Sequence, residues 1–152
     1  MAKPIKVSRK EFEEFNGIRW NAMNDICSLS DIKDLTPVQR VAYLAYWYMS
    51  EVENGGHFQY FANEGHFDHD EVARALTTIG ATEEATILND ALKKVRLSPI
   101  EQPQTAEQYL ADEEVANLSH YDVAFAECKR SVFQCLEDYL NKHETEFIEW
   151  IP

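Results

Sequence analysis

The side chains of this 152-residue chain that could do chemistry gather in its middle. His57, His66 and His69 lie near Glu53, Asp68 and Asp70, residue types that bind divalent metals or move protons. Gly55 and Gly56 stand directly before His57, and paired glycines opening a helix can cradle an anion on free backbone amides. Cys27, Cys128 and Cys135 supply three thiols. Glu51 and Glu53, beside Met49 and Val52, are the acids best placed for the apolar setting that raises a carboxyl pKa for acid–base work.

Spacing argues against each of these chemistries. Zinc takes about four ligands on defined supports, or three at a catalytic centre. Two of the three histidines fall in a predicted loop, and no HExxH pattern occurs. A phosphate at the glycine pair would be repelled by Glu51 and Glu53, and no Lys or Arg stands between Arg40 and Arg74. A tight interhelical turn fits that pair better. Cys128 and Cys135 are seven apart on the apolar face of a predicted helix, the place of small core residues. Three cysteines without close pairing give no disulfide framework. The chain is therefore expected to be non-enzymatic, without metal or cofactor. A metal-assisted hydrolase using Glu53, His57, His66 and His69 is the alternative.

The elements that would position these residues read as helices almost throughout. Ser8-Arg9-Lys10-Glu11 is a capping box opening one helix whose apolar positions run Phe12, Phe15, Ile18, Ala22, Ile26 and Leu29. Thr36-Pro37-Val38-Gln39 opens the second. Val41–Met49 is apolar on every side, so this helix, near residues 37–53, is predicted to be central. It should end at Asn54-Gly55-Gly56 and restart as a short helix over Phe58–Asn63. Asp68 and Glu71 cap the next, Thr82 the one after, and Leu97–Gln104, with Pro99 and Pro103, is a linker. Thr105-Ala106-Glu107-Gln108 is a further box, and one long helix is predicted from Ser119 through Cys128 and Cys135 to Tyr139. The tail either extends that helix or packs back on the body. No strand alternation is present, so residues 1–152 read as a single all-α domain, a compact bundle of about seven helices.

Charge carries the functional signal. The net charge is −13. Residues 1–50 hold 7 basic and 6 acidic side chains, residues 51–100 hold 4 and 9, and residues 101–152 hold 3 and 12. Such a field repels nucleic acid and membrane surfaces and attracts basic partners. Simple solubility is the competing explanation. The candidate acidic face comprises Glu107, Asp112, Glu113, Glu114, Asp122, Glu137, Asp138, Glu144, Glu146 and Glu149. Carboxylates ordered on a stiff helical body could take the place of DNA phosphates in a basic groove. Met1–Lys10 lacks a signal peptide's apolar segment, and the nine-residue run Val41–Met49 falls far short of the ~20 residues of a membrane helix. A cytoplasmic location is expected.

Glu51-Val52-Glu53-Asn54-Gly55-Gly56, followed by Gln59-Tyr60-Phe61 and Asn63, resembles the signature of the DNA-mimic protein family, a bacterial domain first catalogued as of unknown function. Ala75-Leu76 and Ile79-Gly80-Ala81 are similar to the family's second block. His57 departs from the pattern, in which an aromatic follows the glycines directly. The resemblance spans Tyr43 to about Val95. It implies an all-α fold, a homodimer, and inhibition of a DNA-binding transcription regulator by imitation of DNA, with a basic protein rather than nucleic acid or membrane as partner. Within it Asn54, Gly55, Gly56, Gln59, Tyr60 and Phe61 look structural: glycines for the turn, aromatics for the core, Gln59 for buried backbone groups. An immunity or antitoxin-like binder shares the same physics and is a second alternative.

Overall fold

The computed structural model describes residues 1–152. Eight α-helices are framed by two short strands: β1 (Ile5–Ser8), α1 (Arg9–Glu14), α2 (Ile18–Leu29), α3 (Pro37–Asn63), α4 (His69–Thr78), α5 (Thr82–Leu97), α6 (Ala106–Ala116), α7 (Ser119–Ala126), α8 (Val132–Lys142) and β2 (Ile148–Ile151). Single 3₁₀ turns at Ile32–Asp34 and Glu144–Glu146 complete it. The fold is all-α in class, as the periodicity predicts. No helix is long and apolar enough to cross a membrane.

Short-range capping chemistry fixes most helix starts. Ser8 and Glu11 cap α1 reciprocally, and Thr36 and Gln39 cap α3 in the same way, with Pro37 in its first turn. Asp68 accepts from the Glu71 amide and Thr105 from the Gln108 amide, but the expected box at Thr105 does not close, because the Gln108 side chain accepts from the Gln104 amide instead. Thr82 is not a cap: Ala81 takes that position, and no side chain bonds the first amides of α5.

Two predicted helices need correction, and the tail takes one of its two expected courses. The first helix is two, because Phe15 is extended and the Asn16-Gly17 turn restarts the chain as α2. The last long helix is also two. Ser131 and Gln134 form a capping box of their own, so α8 starts afresh and Cys128 falls in the intervening turn rather than on a shared face with Cys135. The tail packs back on the body, with Phe147 and Ile148 buried, and does so as a strand. Ile148–Ile151 pairs in parallel with β1, placing Ile5 opposite Ile148 and Val7 opposite Trp150. Four-residue strands are too short to print an alternating pattern.

The long helix α3 is central, as expected, packing on α2, α4, α7 and α8. Its buried residues Ala42, Leu44, Ala45, Tyr48, Met49 and Val52 lead directly into Phe58, Tyr60 and Phe61 beyond the glycines. Gln39, fully buried near its start, donates to the carbonyls of Glu146 and Ala2 at 2.7 and 3.3 Å, tying both ends of the chain to this helix. Arg19 reaches Glu144 at 2.5 Å while its guanidinium lies 4.7 Å from the centre of the Phe12 ring.

Candidate functional site

The glycine pair breaks α3 while leaving it one element. Gly55 has φ −149°, ψ 18°, and Gly56 has φ 77°, ψ −177°. The second conformation belongs to glycine almost alone. A Cβ on Gly56 would also stand 2.4 Å from Asp122 Oδ2. The kink therefore serves a close approach, in which α7 brings a carboxylate against the bare backbone of α3.

Asp122 holds that position by binding His57, the first residue beyond the glycines. Its Oδ1 accepts from the His57 backbone N–H at 2.8 Å and from ring Nδ1 at 2.7 Å. Since the carboxylate only accepts, Nδ1 carries a proton, and in the neutral ring Nε2 is the acceptor. Tyr48 O–H, 2.8 Å away, donates to Nε2. Burial pushes the Tyr48 hydroxyl well above the ordinary phenol range, so the proton stays on it. The order carboxylate–imidazole–hydroxyl is that of an activated nucleophile, but Tyr48 and His57 have no exposed surface. The relay joins α3, its continuation past the kink, and α7.

Around the kink, Glu51 accepts from Gln59 Nε2 and Asn63 Nδ2, both at 2.9 Å. Gln59 thus bridges to a carboxylate and does not satisfy buried backbone groups as expected. Tyr60 and Phe61 are core residues, and the Tyr60 hydroxyl shares a 2.8 Å hydrogen bond with His69 Nδ1. Burial holds His69 below the usual imidazole range. Asn54 is exposed on the turn before the kink.

The three histidines do not converge. His57 has both nitrogens engaged, His69 faces Tyr60, and His66 is exposed beside Glu64. No group of three or more His, Cys, Asp or Glu side chains is placed to hold a metal ion. Burial raises the thiol of Cys27 to about 12 and that of Cys128 to about 11, the latter with help from Glu84 and Glu83. Glu84 is buried, its Oε1 has no partner, and burial raises its pKa.

The ten acids of the predicted face divide into two sets. Four are engaged inside the molecule: Asp122 with His57, Asp138 with Arg130, Glu144 with Arg19 and the Trp150 indole, and Glu146 with the Thr36 hydroxyl. Sequence gave no means of telling these from the rest, because each partner but Arg130 and Trp150 is distant in the chain. Glu137 and Glu149 are exposed on α8 and β2. Glu107, Asp112, Glu113 and Glu114 share α6, which has no Lys or Arg, and no ion pair reaches it.

Helix α6 is bound to the body by little. The rings of Tyr109 and Phe58 meet perpendicular to one another with centroids 4.9 Å apart. Tyr109, Asp112, Glu113 and Ala116 form its half-buried inward stripe, at helical spacing i, i+3, i+4, i+7. Leu110 and Val115 stand on its two opposite flanks, 64% and 83% exposed. Clefts of about 250 and 310 Å³ flank the helix, and Phe58 lines both.

The family model described as DMP19-like protein matches residues 33–143, from the first 3₁₀ turn to the end of α8. The match contains the kink, the relay and α6, and leaves out the β1–β2 pair. No curated protein and no solved structure matches the chain.

Proposed function

We propose, from the premise that this chain belongs to the DMP19-like protein family, that it is a non-enzymatic acidic protein that imitates DNA and occupies the basic surface of a DNA-binding regulator. The observation that carries this reading is α6: four carboxylates on one helix, Glu107 and Glu114 exposed and Asp112 and Glu113 half-buried at the clefts, without an internal cation. Unpaired carboxylates on an ordered element offer a regulator's Lys and Arg the charge that duplex DNA offers at one per ~1.7 Å of axis. The enclosed Tyr48 hydroxyl and the raised thiols support a scaffold role for the groups that could otherwise act as nucleophiles.

The family premise also implies a homodimer. The half-exposed aromatics Tyr43, Tyr46, Trp47 and Trp20, in edge-to-face contact and continued by Phe133, lie mostly in the near-neutral first third of the chain. Two copies would meet there with least charge repulsion. Sedimentation equilibrium reads this directly, and a monomer throughout the micromolar range overturns it.

The test of mimicry is salt-dependent capture. Immobilised protein should retain a basic DNA-binding protein from lysate at about 50 mM salt and release it at several hundred millimolar, since binding displaces counterions. Duplex DNA should compete. Recovery of no such protein at low salt, or a partner that holds DNA and this chain together, overturns the proposal.

A further inference from the structure

We propose that the outward face of α6 and the cleft beside it form the docking surface for a cationic amphipathic helix, so that contact is part apolar and not wholly phosphate-like; this rests on the basic-partner reading above. On an ordinary surface helix the apolar residues face the body and the acids face water. In α6 the arrangement is inverted. Asp112 and Glu113 lie on the half-buried stripe, while Leu110 and Val115 are exposed on opposite flanks of the outward Glu107, Ala111 and Glu114, about 140° apart around the helix. Nothing in the chain covers either aliphatic. Leu110, on the flank shared with Glu113 and Glu114, matches a partner helix bearing Leu-type residues beside Lys or Arg.

The neighbouring cleft has the matching chemistry. About 310 Å³ in volume, it is lined by Phe58, Leu110 and Leu118 on the apolar side and by Glu113, Glu114 and Asp122 on the acidic side. A Lys or Arg side chain suits such walls, its methylene stem against the apolar floor and its cationic head among the carboxylates. Duplex DNA offers a regulator only thymine methyls where this chain offers the larger Leu110 and Val115 side chains. The apolar part therefore gives this chain a preference that charge imitation alone does not supply.

Fluorescence anisotropy with two labelled synthetic peptides tests this: an amphipathic Leu–Lys helix, and an oligolysine with the same number of lysines. The intact protein should bind the Leu–Lys peptide about tenfold more tightly, or better, at equal salt. The double variant Leu110→Ser/Val115→Ser, at exposed positions, should fold with unchanged Tm, lose that preference and keep its oligolysine affinity. Glu113→Gln/Glu114→Gln should weaken both peptides and flatten their salt dependence. Equal affinity of the intact protein for the two peptides, or a preference that survives the double serine variant, overturns the proposal while leaving the basic-partner reading intact. Failure of both peptides to bind at low salt overturns both.

Discussion

Asp122 Oδ1 accepts two hydrogen bonds from His57, one from the backbone at 2.8 Å and one from ring Nδ1 at 2.7 Å. A single oxygen, on a helix 65 residues further along the chain, thus fixes both the main chain and the tautomer of a fully buried imidazole. Removing it in Asp122→Ala strands two donors of a residue with no exposed surface, beside the cleft that Asp122 lines. The expected cost is about 2–4 kcal/mol, from ~1–3 kcal/mol per unsatisfied buried group. Urea unfolding should show a lower midpoint with an unchanged m-value. Asp122→Asn keeps an acceptor oxygen and should lose less. A midpoint unmoved by the alanine variant would mean that the clasp does not hold α7.

Gly56→Ala should be more damaging than Gly55→Ala. At position 56 the new methyl meets both a positive φ of 77° and the Asp122 carboxylate at 2.4 Å. At position 55 it meets Gln59 Oε1 at 2.0 Å and Gln59 Cβ at 2.9 Å; the amide end can swing aside and give up its bond to Glu51, and the Cβ contact, fixed to the helix backbone, needs a small shift of the chain. Expected losses are about 3 kcal/mol or more for the first and about 1–2 kcal/mol for the second. Thermal melts of the two variants decide it, and equal losses would contradict the proposed role of the close approach.

Glu84→Gln should stabilise the protein at neutral pH. Burial places the folded pKa of Glu84 above its ordinary value of 4.5, so folding favours the protonated form. The cost of the charge is absent below the unfolded pKa and fully felt above the folded one. Relief of a buried charge with one unpartnered oxygen should raise Tm at pH 7 by about 2–4 °C, the shift for ~1 kcal/mol at this chain length. The gain should vanish near pH 4. Glu71 runs the other way. Its hydrogen bond from Arg40 holds its pKa below 4.5, so its contribution is present above the unfolded pKa and fades as the pH falls. A Glu84→Gln gain that persists at pH 4 would exclude charge burial as the cause.

Amide hydrogen exchange should rank α6 among the least protected helices. It buries no residue completely, its inward stripe holds two carboxylates, and clefts open on both flanks. Its amides should exchange at least about a hundredfold faster than those of Ala42–Met49 in α3, the difference between a local opening and a global one. Equal protection would mean that α6 is part of the cooperative core.

What could be read from sequence was local. The boxes at Ser8 and Thr36 and the caps at Asp68 and Thr105 each need only residues three apart, and all are present. The box at Ser131 has the same form; the apolar run through Cys128 and Cys135 hid it, because a helix stripe does not record a turn that preserves its phase. The glycine break was legible because few residues other than glycine tolerate its backbone angles. Long-range pairing was not legible. Nothing near Asp122 or Glu144 marks a carboxylate committed to His57 or Arg19, so bound and free acids look alike in the chain. The inverted α6 was equally hidden, since AEQYLADEEVA fits a helix facing either way until the body beneath it is known.

The span from Ser98 to Leu118 runs between two moored helices: α5 is packed on α4 and α7, and α7 is clasped to the kink. If the cationic partner pulls α6 outward, the detached piece is a closed loop on two short tethers. Its return is a search through a small volume, with an entropy cost that grows only slowly with loop length. Capture and release at this surface can therefore repeat without the rest of the protein having to fold again.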